Sequence, residues 1–420
     1  MQREDLVFAG YCDWAGLVRG KAFPLAQTSA RLKRGVSLTP SNVVMSCFGP
    51  SVTAPLGSMG DLVARPDQAA HAAVTFDDGT AERFYLSDLQ NTDGSPWECC
   101  PRDFLRRAIA ALAASGLSLH ASFEQEFVYT GVEDRPGTTY ALDAFRRQGV
   151  FGEALIGALS AAGLGPDSFL PEYGPRQFEV SIAAEPALRA ADRAVIAREL
   201  LRGVAFRLGH RAILAPMLEP GGIGNGTHIH MSLWEGETPV TYDPQEPYGI
   251  SQRIAPFFAG ILDHMPAIAA FSVPSVASYL RLTPGRWAPV AANLAVGDRG
   301  AALRVAPVFA TPEEPPEQQF NLEFRVADAA SCPYLALGAL IQAGVDGLTR
   351  NFVLPAPDSP AAPLPRSLEA ALAALEADRT AAGWWSENAM RTYLAFKSAE
   401  IAALADLSAA DICARYAAVY

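Results

Sequence analysis

The stretch FEQEF (123–127), inside LSLHASFEQEFVY (117–129), sets Glu124 and Glu126 two residues apart in a run of strand-forming residues. Residues i and i+2 of a strand share a face, so the two carboxylates point together. Two later stretches repeat the pattern: THIHMS (227–232) places His228 and His230 two apart, and NLEFRV (321–326) does the same with Glu323 and Arg325. A fourth, QFEVSI (177–182), carries Glu179, with Glu172 seven residues earlier. Any one such pair is equally at home on the solvent face of a half-exposed strand. Five glutamates and two histidines on four candidate strands and their adjoining loops make a different case. Clustered carboxylates repel and take up protons or cations. Hard divalent cations prefer oxygen ligands, and Mn²⁺ tolerates an imidazole. A zinc hydrolase built on the His-x-His pair is the weaker reading, because glutamates outnumber imidazoles and no third histidine lies nearby.

Working outward, EPGGIGNG (219–226) precedes the histidine strand with four glycines in six residues, a loop that lets backbone approach a ligand or make a hairpin turn. SYLRLTPGRWAPV (278–290) and GDRGAALRV (297–305) carry Arg281, Arg286, Arg299 and Arg304. With Arg325 they can clamp a phosphate or carboxylate bidentately. Helical periodicity is expected after Cys100 up to Gly116, over 141–162, from Ala187 to Gly209, through ISQRIAPFFAGILDHMPAIAAF (250–271), over 333–350 and across 366–420. Residues 1–97 read as short strands and loops, with strands at 70–76 and 82–89, and SPWECCPR (95–102) reads as a boundary. Pro-rich loops are expected at 311–319 and 354–365. The fold class is α+β: a small β-rich domain at 1–97, then a catalytic domain at 98–420.

Bulk properties exclude several classes. The 420 residues carry a formal charge of −12, which argues against a nucleic-acid partner. Only Lys21, Lys33 and Lys397 are lysines, and no GxxxxGK[ST] run occurs, so phosphate handling falls to arginine and metal. The six cysteines form no CxxC and are irregularly spaced, as expected of reduced thiols in the cytoplasm. No apolar run approaches the length of a membrane span, and the N-terminus lacks a signal-peptide core.

Taken in order, these segments resemble the glutamine synthetase superfamily over nearly the whole chain. FEQEF resembles its ExEF motif, PEYGPRQFEV its E-x-G-P-G-Q-F-E motif, and GNGTHIHMSLW its G-x-G-M-H-x-H-x-S-L motif. SYLRLTPGRWAPV, DRGAALRV and NLEFRVADAASCPYLALGALIQAGVDGL resemble three further runs, and GLVRGKAFP and MGDLVARPD two in the N-terminal part. The resemblance implies a β-grasp N-terminal domain and a catalytic domain with a curved antiparallel sheet flanked by helices. It implies a homo-oligomeric ring, usually a dodecamer, with active sites between neighbouring subunits. It also implies two Mg²⁺ or Mn²⁺ per subunit, one on Glu126, Glu172 and Glu179, the other on Glu124, His228 and Glu323. ATP phosphates would meet His230, Ser232 and Arg304. Arg304 and Arg299 would stabilise the transferring phosphoryl group, while Arg281, Arg299, Arg325 and Gly224 would hold the acid substrate. The implied reaction phosphorylates a side-chain carboxylate, normally that of glutamate, and an amine then displaces phosphate.

The departures concentrate on the amine. Trp287 stands in PGRWAP where ammonium-using members carry a glutamate, and SNVVMSCFG (41–49) lacks the family's D-G-S-S run. Loss of two anions weakens an ammonium site, while an indole suits a carbon-bearing amine. Asn321 replaces a usual arginine near the nucleotide, Ile223 a usual asparagine near the acid, and Arg176 a usual glycine. The expectation is a γ-glutamylamide synthetase. The alternatives are an ammonium-using glutamine synthetase and a non-catalytic structural or sensing ring.

Overall fold

A computed structural model describes residues 3–49, 56, 59–137, 139–309, 314–357 and 359–420. The start of the expected loop 311–319 and Asp358 of the loop 354–365 lie outside the described residues.

The N-terminal part is a five-stranded sheet. Its strands are β1 (Leu6–Cys12), β2 (Val18–Pro24), β3 (Val36–Leu38), β4 (Leu62–Thr75) and β5 (Ala81–Asn91), in the order β2-β1-β5-β4-β3. A short helix, α1 (Thr28–Arg34), follows β2. β1 and β5 run parallel and the other pairs antiparallel. β4 buries Leu62, Ala64, Ala70, Ala72 and Val74. Its register shifts between Pro66 and His71, where a proline without an N–H interrupts the ladder.

The rest of the chain begins with α2 (Pro101–Ala113) and then crosses two further sheets. β6 (Ser118–Phe123) belongs to one and β7 (Gln125–Tyr129) to the other, so the expected single strand 117–129 breaks at Glu124. The break has partners: Glu124 N–H donates to the His228 carbonyl at 3.0 Å and Glu126 N–H to the Gly226 carbonyl at 3.2 Å. α3 (Leu142–Arg147) and α4 (Phe151–Ala161) divide the expected helix 141–162 at Gly149, whose φ is +68°. β8 (Pro166–Pro171), β9 (Gln177–Ile182), β10 (Glu185–Pro186), α5 (Ala187–Arg207), β11 (Ala212–Ile213), β12 (Ile229–Glu235) and β13 (Thr238–Pro239) follow. The expected helix across 250–271 is two: α6 (Ala255–Asp263) and α7 (Met265–Ser272), parted at His264 ahead of Pro266. Next come α8 (Ser278–Arg281), β14 (Leu294–Val296), β15 (Leu303–Val305), α9 (Pro316–Gln319), β16 (Leu322–Phe324) and α10 (Pro333–Arg350). The chain ends in α11 (Leu368–Ala377), α12 (Arg379–Ala382), α13 (Glu387–Leu404) and α14 (Ala409–Val419).

The large sheet has the order β10-β6-β12-β16-β15-β14, with β13 paired to β12. The smaller has the order β11-β7-β9-β8. Pairing is antiparallel except between β14 and β15. The core beneath is helical. α10 crosses α6 at bare backbone: a Cβ on Gly260 would lie 2.2 Å from the Ala343 carbonyl, and one on Gly347 would lie 2.1 Å from that of Pro256. The N-terminal sheet is locked to this body. Trp14 packs against Trp385, Tyr393 and Phe396 at 5.2–5.9 Å, and buried Arg102 reaches Asp67 and Asp88 of the N-terminal sheet and Asp192 of α5. Among the described residues no helix is long and apolar enough to cross a membrane, and all six cysteines are unpaired and buried.

Candidate active site

The carboxylates gather where the two sheets meet. Because the chain changes sheets at Glu124, that side chain stands at the seam, with Glu126 opposite Glu179 across the β7–β9 pair. His228 lies one residue before β12 and His230 within it, opposite Glu323 on β16. All six proposed metal ligands line one cleft of about 750 Å³, as do His230, Gly224, Trp287 and the four arginines 281, 299, 304 and 325. Ser232 does not. It lines a smaller cavity of about 220 Å³, which shares Glu124 and His230 with the large cleft.

Distances among the donors are short. His228 Nδ1 lies 3.0 Å from Glu124 Oε2 and 3.4 Å from Glu323 Oε1, and its Nε2 lies 3.8 Å from Glu126 Oε1. His230 Nε2 lies 3.1 Å from Glu124 Oε1. The tightest convergent sets, with donor atoms within 4.8 Å of one another, are Glu124–Glu179–His228 and Glu124–His230–Glu323. These cut across the division the family resemblance implies. Glu126 and Glu172 stand further out: Glu126 Oε2 accepts from the Gly226 N–H at 2.6 Å, and Glu172 accepts from the Tyr140 hydroxyl and the Tyr173 N–H.

The electrostatics ask for positive charge. Burial, followed by Glu124 and Glu126, pushes the Glu179 carboxyl well above its usual range, and burial with Glu126 raises Glu172. Burial works against the Glu124 carboxylate too, yet His230 and His228 hold it well below its usual range. Burial lowers the His230 imidazole, but Glu124 and Glu323 outweigh it and bring it up to about 9. Without a cation, the cluster therefore keeps a proton on His230 near neutrality and favours the protonated form of Glu179. Two donors adjacent on an octahedral ion at ~2.1 Å sit about 3 Å apart, close to the His228–Glu124 and His230–Glu124 separations. The donor set fits a divalent cation of the Mg²⁺ or Mn²⁺ type.

Arginines face the cation cluster. Arg304 meets Glu323 Oε2 at 2.5 Å, Arg325 pairs with Glu323 Oε1, and Arg281 donates to the Ala327 carbonyl at 2.7 Å. The Nε–H groups of Arg281, Arg304 and Arg325 are buried without an acceptor, so each has a donor left for an anion. Arg299 is exposed at the rim. The glycine loop packs against this wall: a Cβ on Gly224 would lie 2.4 Å from the Pro216 carbonyl and 2.7 Å from Arg281 Cγ. Asn225 and Gln177 pin the loop, Gln177 Nε2 donating to the Gly224 carbonyl at 2.9 Å and to Asn225 Oδ1 at 2.8 Å.

At the mouth, beside Glu172, three aromatic rings stand edge to face. Trp287 and Tyr173 are 4.4 Å apart at 82°, and Tyr173 and Tyr140 are 5.7 Å apart at 76°. Trp287 is 53% exposed. Five described non-glycine residues have positive φ, and Tyr140 (+51°) and Trp287 (+53°) are two of them. Bulky residues in that region are strained, and such strain collects at functional sites. Tyr140, Tyr173, Gln177 and Asn225 were not picked out from sequence, whereas Arg286 was: it lines the cleft, and its guanidinium bonds the Gly222 carbonyl. Tyr173 had a signal in its adjacency to Glu172; Tyr140 had none, since it reaches the site from an irregular loop.

Comparison with known proteins agrees with this architecture. The glutamine synthetase catalytic-domain model matches residues 98–416, and the glutamine synthetase N-terminal-domain model matches residues 1–97. A γ-glutamylpolyamine synthetase of Streptomyces coelicolor is 35% identical over 364 residues, 83% of this chain and 76% of that protein. A glutamine synthetase of Thermotoga maritima is 31% identical over 289 residues, 67% of this chain and 64% of that protein. A crystal structure described as a novel glutamine synthase homolog superposes with a TM-score of 0.95 at 38% identity, covering 100% of this chain and 99% of that one.

Proposed function

The chain belongs to the glutamine synthetase family of ATP-dependent C–N ligases, and from that premise we propose that it joins the side-chain carboxylate of glutamate to an organic amine, in the first instance a polyamine. One observation carries the amine reading: the aromatic row Trp287–Tyr173–Tyr140 beside Glu172, whose two end residues hold positive φ. Rings of this kind attract an ammonium group while packing against its methylenes. A bare ammonium ion has no methylenes to pack against such a wall, and the acid its site relies on in ammonium-using members is a tryptophan here. The similarity to a γ-glutamylpolyamine synthetase points the same way.

In this reading Glu126, Glu172 and Glu179 hold one Mg²⁺ or Mn²⁺, and Glu124, His228 and Glu323 a second. When bound, the two cations neutralise the nucleotide phosphates and the charge of phosphoryl transfer. Arg281 and Arg325 hold the glutamate, with Gly224 leaving room for its amino-acid end. Its γ-carboxylate oxygen attacks the terminal phosphorus of ATP, and ADP leaves. Arg304 and Arg299 carry the growing negative charge, and His230 and Ser232 stand at the nucleotide end. The amine nitrogen, entering past Trp287 and reacting as the neutral amine, adds to the acyl carbon of γ-glutamyl phosphate; phosphate departs and the nitrogen releases one proton to solvent. The enzyme is cytoplasmic and works as a homo-oligomeric ring, a dodecamer of two hexamers.

The test is a steady-state series with ATP, glutamate, Mg²⁺ and ammonium, ethylamine, putrescine or spermidine. The reading expects kcat/KM for the organic amines to exceed that for ammonium, and Trp287→Glu to narrow or invert the ratio. Faster turnover with ammonium in the wild type would instead establish an ammonium-using synthetase.

A further inference from the structure

Asn321, which stands where the resemblance leads one to expect an arginine, meets the site through His230. It leads into β16, two residues before Glu323. Its Nδ2 lies 2.9 Å from the Gln319 carbonyl, which can only accept. That contact fixes the amide, so Oδ1 is the atom turned toward His230 Nδ1, 2.7 Å away. An amide oxygen cannot donate; therefore His230 Nδ1 carries the hydrogen. The other ring nitrogen, Nε2, belongs to a side chain that, like Glu124, lines both the large cleft and the small cavity. It is buried and makes no hydrogen bond, although Glu124 Oε1 is 3.1 Å away, off the line a hydrogen bond needs. The Glu124, His230 and Glu323 donors lie within 4.8 Å of one another, and among the described residues no lysine or arginine lines the small cavity.

We propose that Asn321 is a positioning residue that presents His230 Nε2 as a ligand to a divalent cation shared with Glu124 and Glu323. His230 then reaches the nucleotide through that cation rather than by donating to a phosphate itself. An outer carboxamide that accepts the second N–H of a ligating histidine sets its tautomer and ring angle, and losing such a partner weakens metal binding roughly 10–100-fold. This inference rests on the two-cation reading above, but not on the identity of the amine.

The experiment is Mn²⁺ titration of the full chain without nucleotide, glutamate or amine. Free Mn²⁺ is followed by electron paramagnetic resonance, and bound Mn²⁺ by nitrogen modulation in ¹⁵N-histidine-labelled protein. Asn321→Leu removes the acceptor at similar size and is expected to weaken one Mn²⁺ site about 10–100-fold. Asn321→Asp keeps an acceptor and is expected to stay close to wild type. His230→Ala is expected to weaken the same site and to remove one histidine nitrogen from the modulation. Circular dichroism checks that each variant is folded. Unchanged Mn²⁺ affinity and modulation in folded Asn321→Leu and His230→Ala would overturn the inference and leave His230 as a direct phosphate donor. Wild-type protein that binds no Mn²⁺ would overturn the two-cation reading itself.

Discussion

At the scale of single residues, the site is built from groups that are costly to place. Arg176 sits at φ +57° in the turn between β8 and β9, a backbone region that favours glycine, and its Nε–H is buried without an acceptor. Arg176→Gly is expected to stabilise the protein by about 0.5–1 kcal/mol, seen as a higher denaturant midpoint with an unchanged slope. Trp287 shares the strained region but not the remedy, because its ring lines the cleft. Trp287→Ala is expected to raise KM for an organic amine by about 3–30-fold, equivalent to the ~0.5–2 kcal/mol of a cation–π contact, with KM for glutamate and ATP nearly unchanged. The acid cluster adds a pH dependence. His230, raised to about 9, keeps its proton at pH 7 when no cation is present, and burial beside Glu124 and Glu126 pushes Glu179 toward its protonated form too. Cation binding expels those protons, so affinity should climb from pH 6.5 toward 9, and calorimetry in buffers of different ionisation heat should register proton release. For the metal-free fold the sign is the reverse. The stability that a raised His230 contributes is complete below about 6.5 and is lost as pH rises through about 9.

At the scale of elements, the sequence spoke clearly wherever the side chains themselves carry the pattern. The i, i+2 pairs at 124/126, 228/230 and 323/325 do converge, and the long helices α5 and α10 fall where periodicity places them. What it concealed was backbone decision-making. A run of thirteen strand-forming residues (117–129) gives no sign that the chain changes sheets at Glu124, because the reason is a pair of backbone bonds to residues a hundred positions later. Tyr140 and the tautomer of His230 required three-dimensional neighbours to read at all. The helix crossing at Gly260 and Gly347 is of the same kind. The glycines look like weak points in helical segments, yet they let α6 and α10 touch backbone to backbone. Gly260→Ala and Gly347→Ala should each destabilise by about 1–3 kcal/mol, the usual cost of overpacking, measured by chemical denaturation.

At the scale of the whole molecule, an acidic chain holds its anionic chemistry together with arginine. Away from the cleft, Arg102 gathers Asp67, Asp88 and Asp192 at 2.7–2.9 Å and so ties the N-terminal sheet to α5. Arg102→Met leaves Asp192 buried without its partner and should cost about 3–5 kcal/mol, with the two parts of the chain loosening together in hydrogen exchange. Within the cleft, the same residue type faces the cation cluster, and the aromatic row closes the amine side. The account stands on the product that this arrangement makes. The direct measurement is competition: equal concentrations of ammonium and putrescine, with ATP, Mg²⁺ and glutamate labelled with ¹⁸O in its γ-carboxylate, analysed by mass spectrometry. The account predicts γ-glutamylputrescine as the main product and one ¹⁸O delivered to each phosphate. Glutamine as the main product would contradict the amine assignment, and unlabelled phosphate would contradict the acyl-phosphate route.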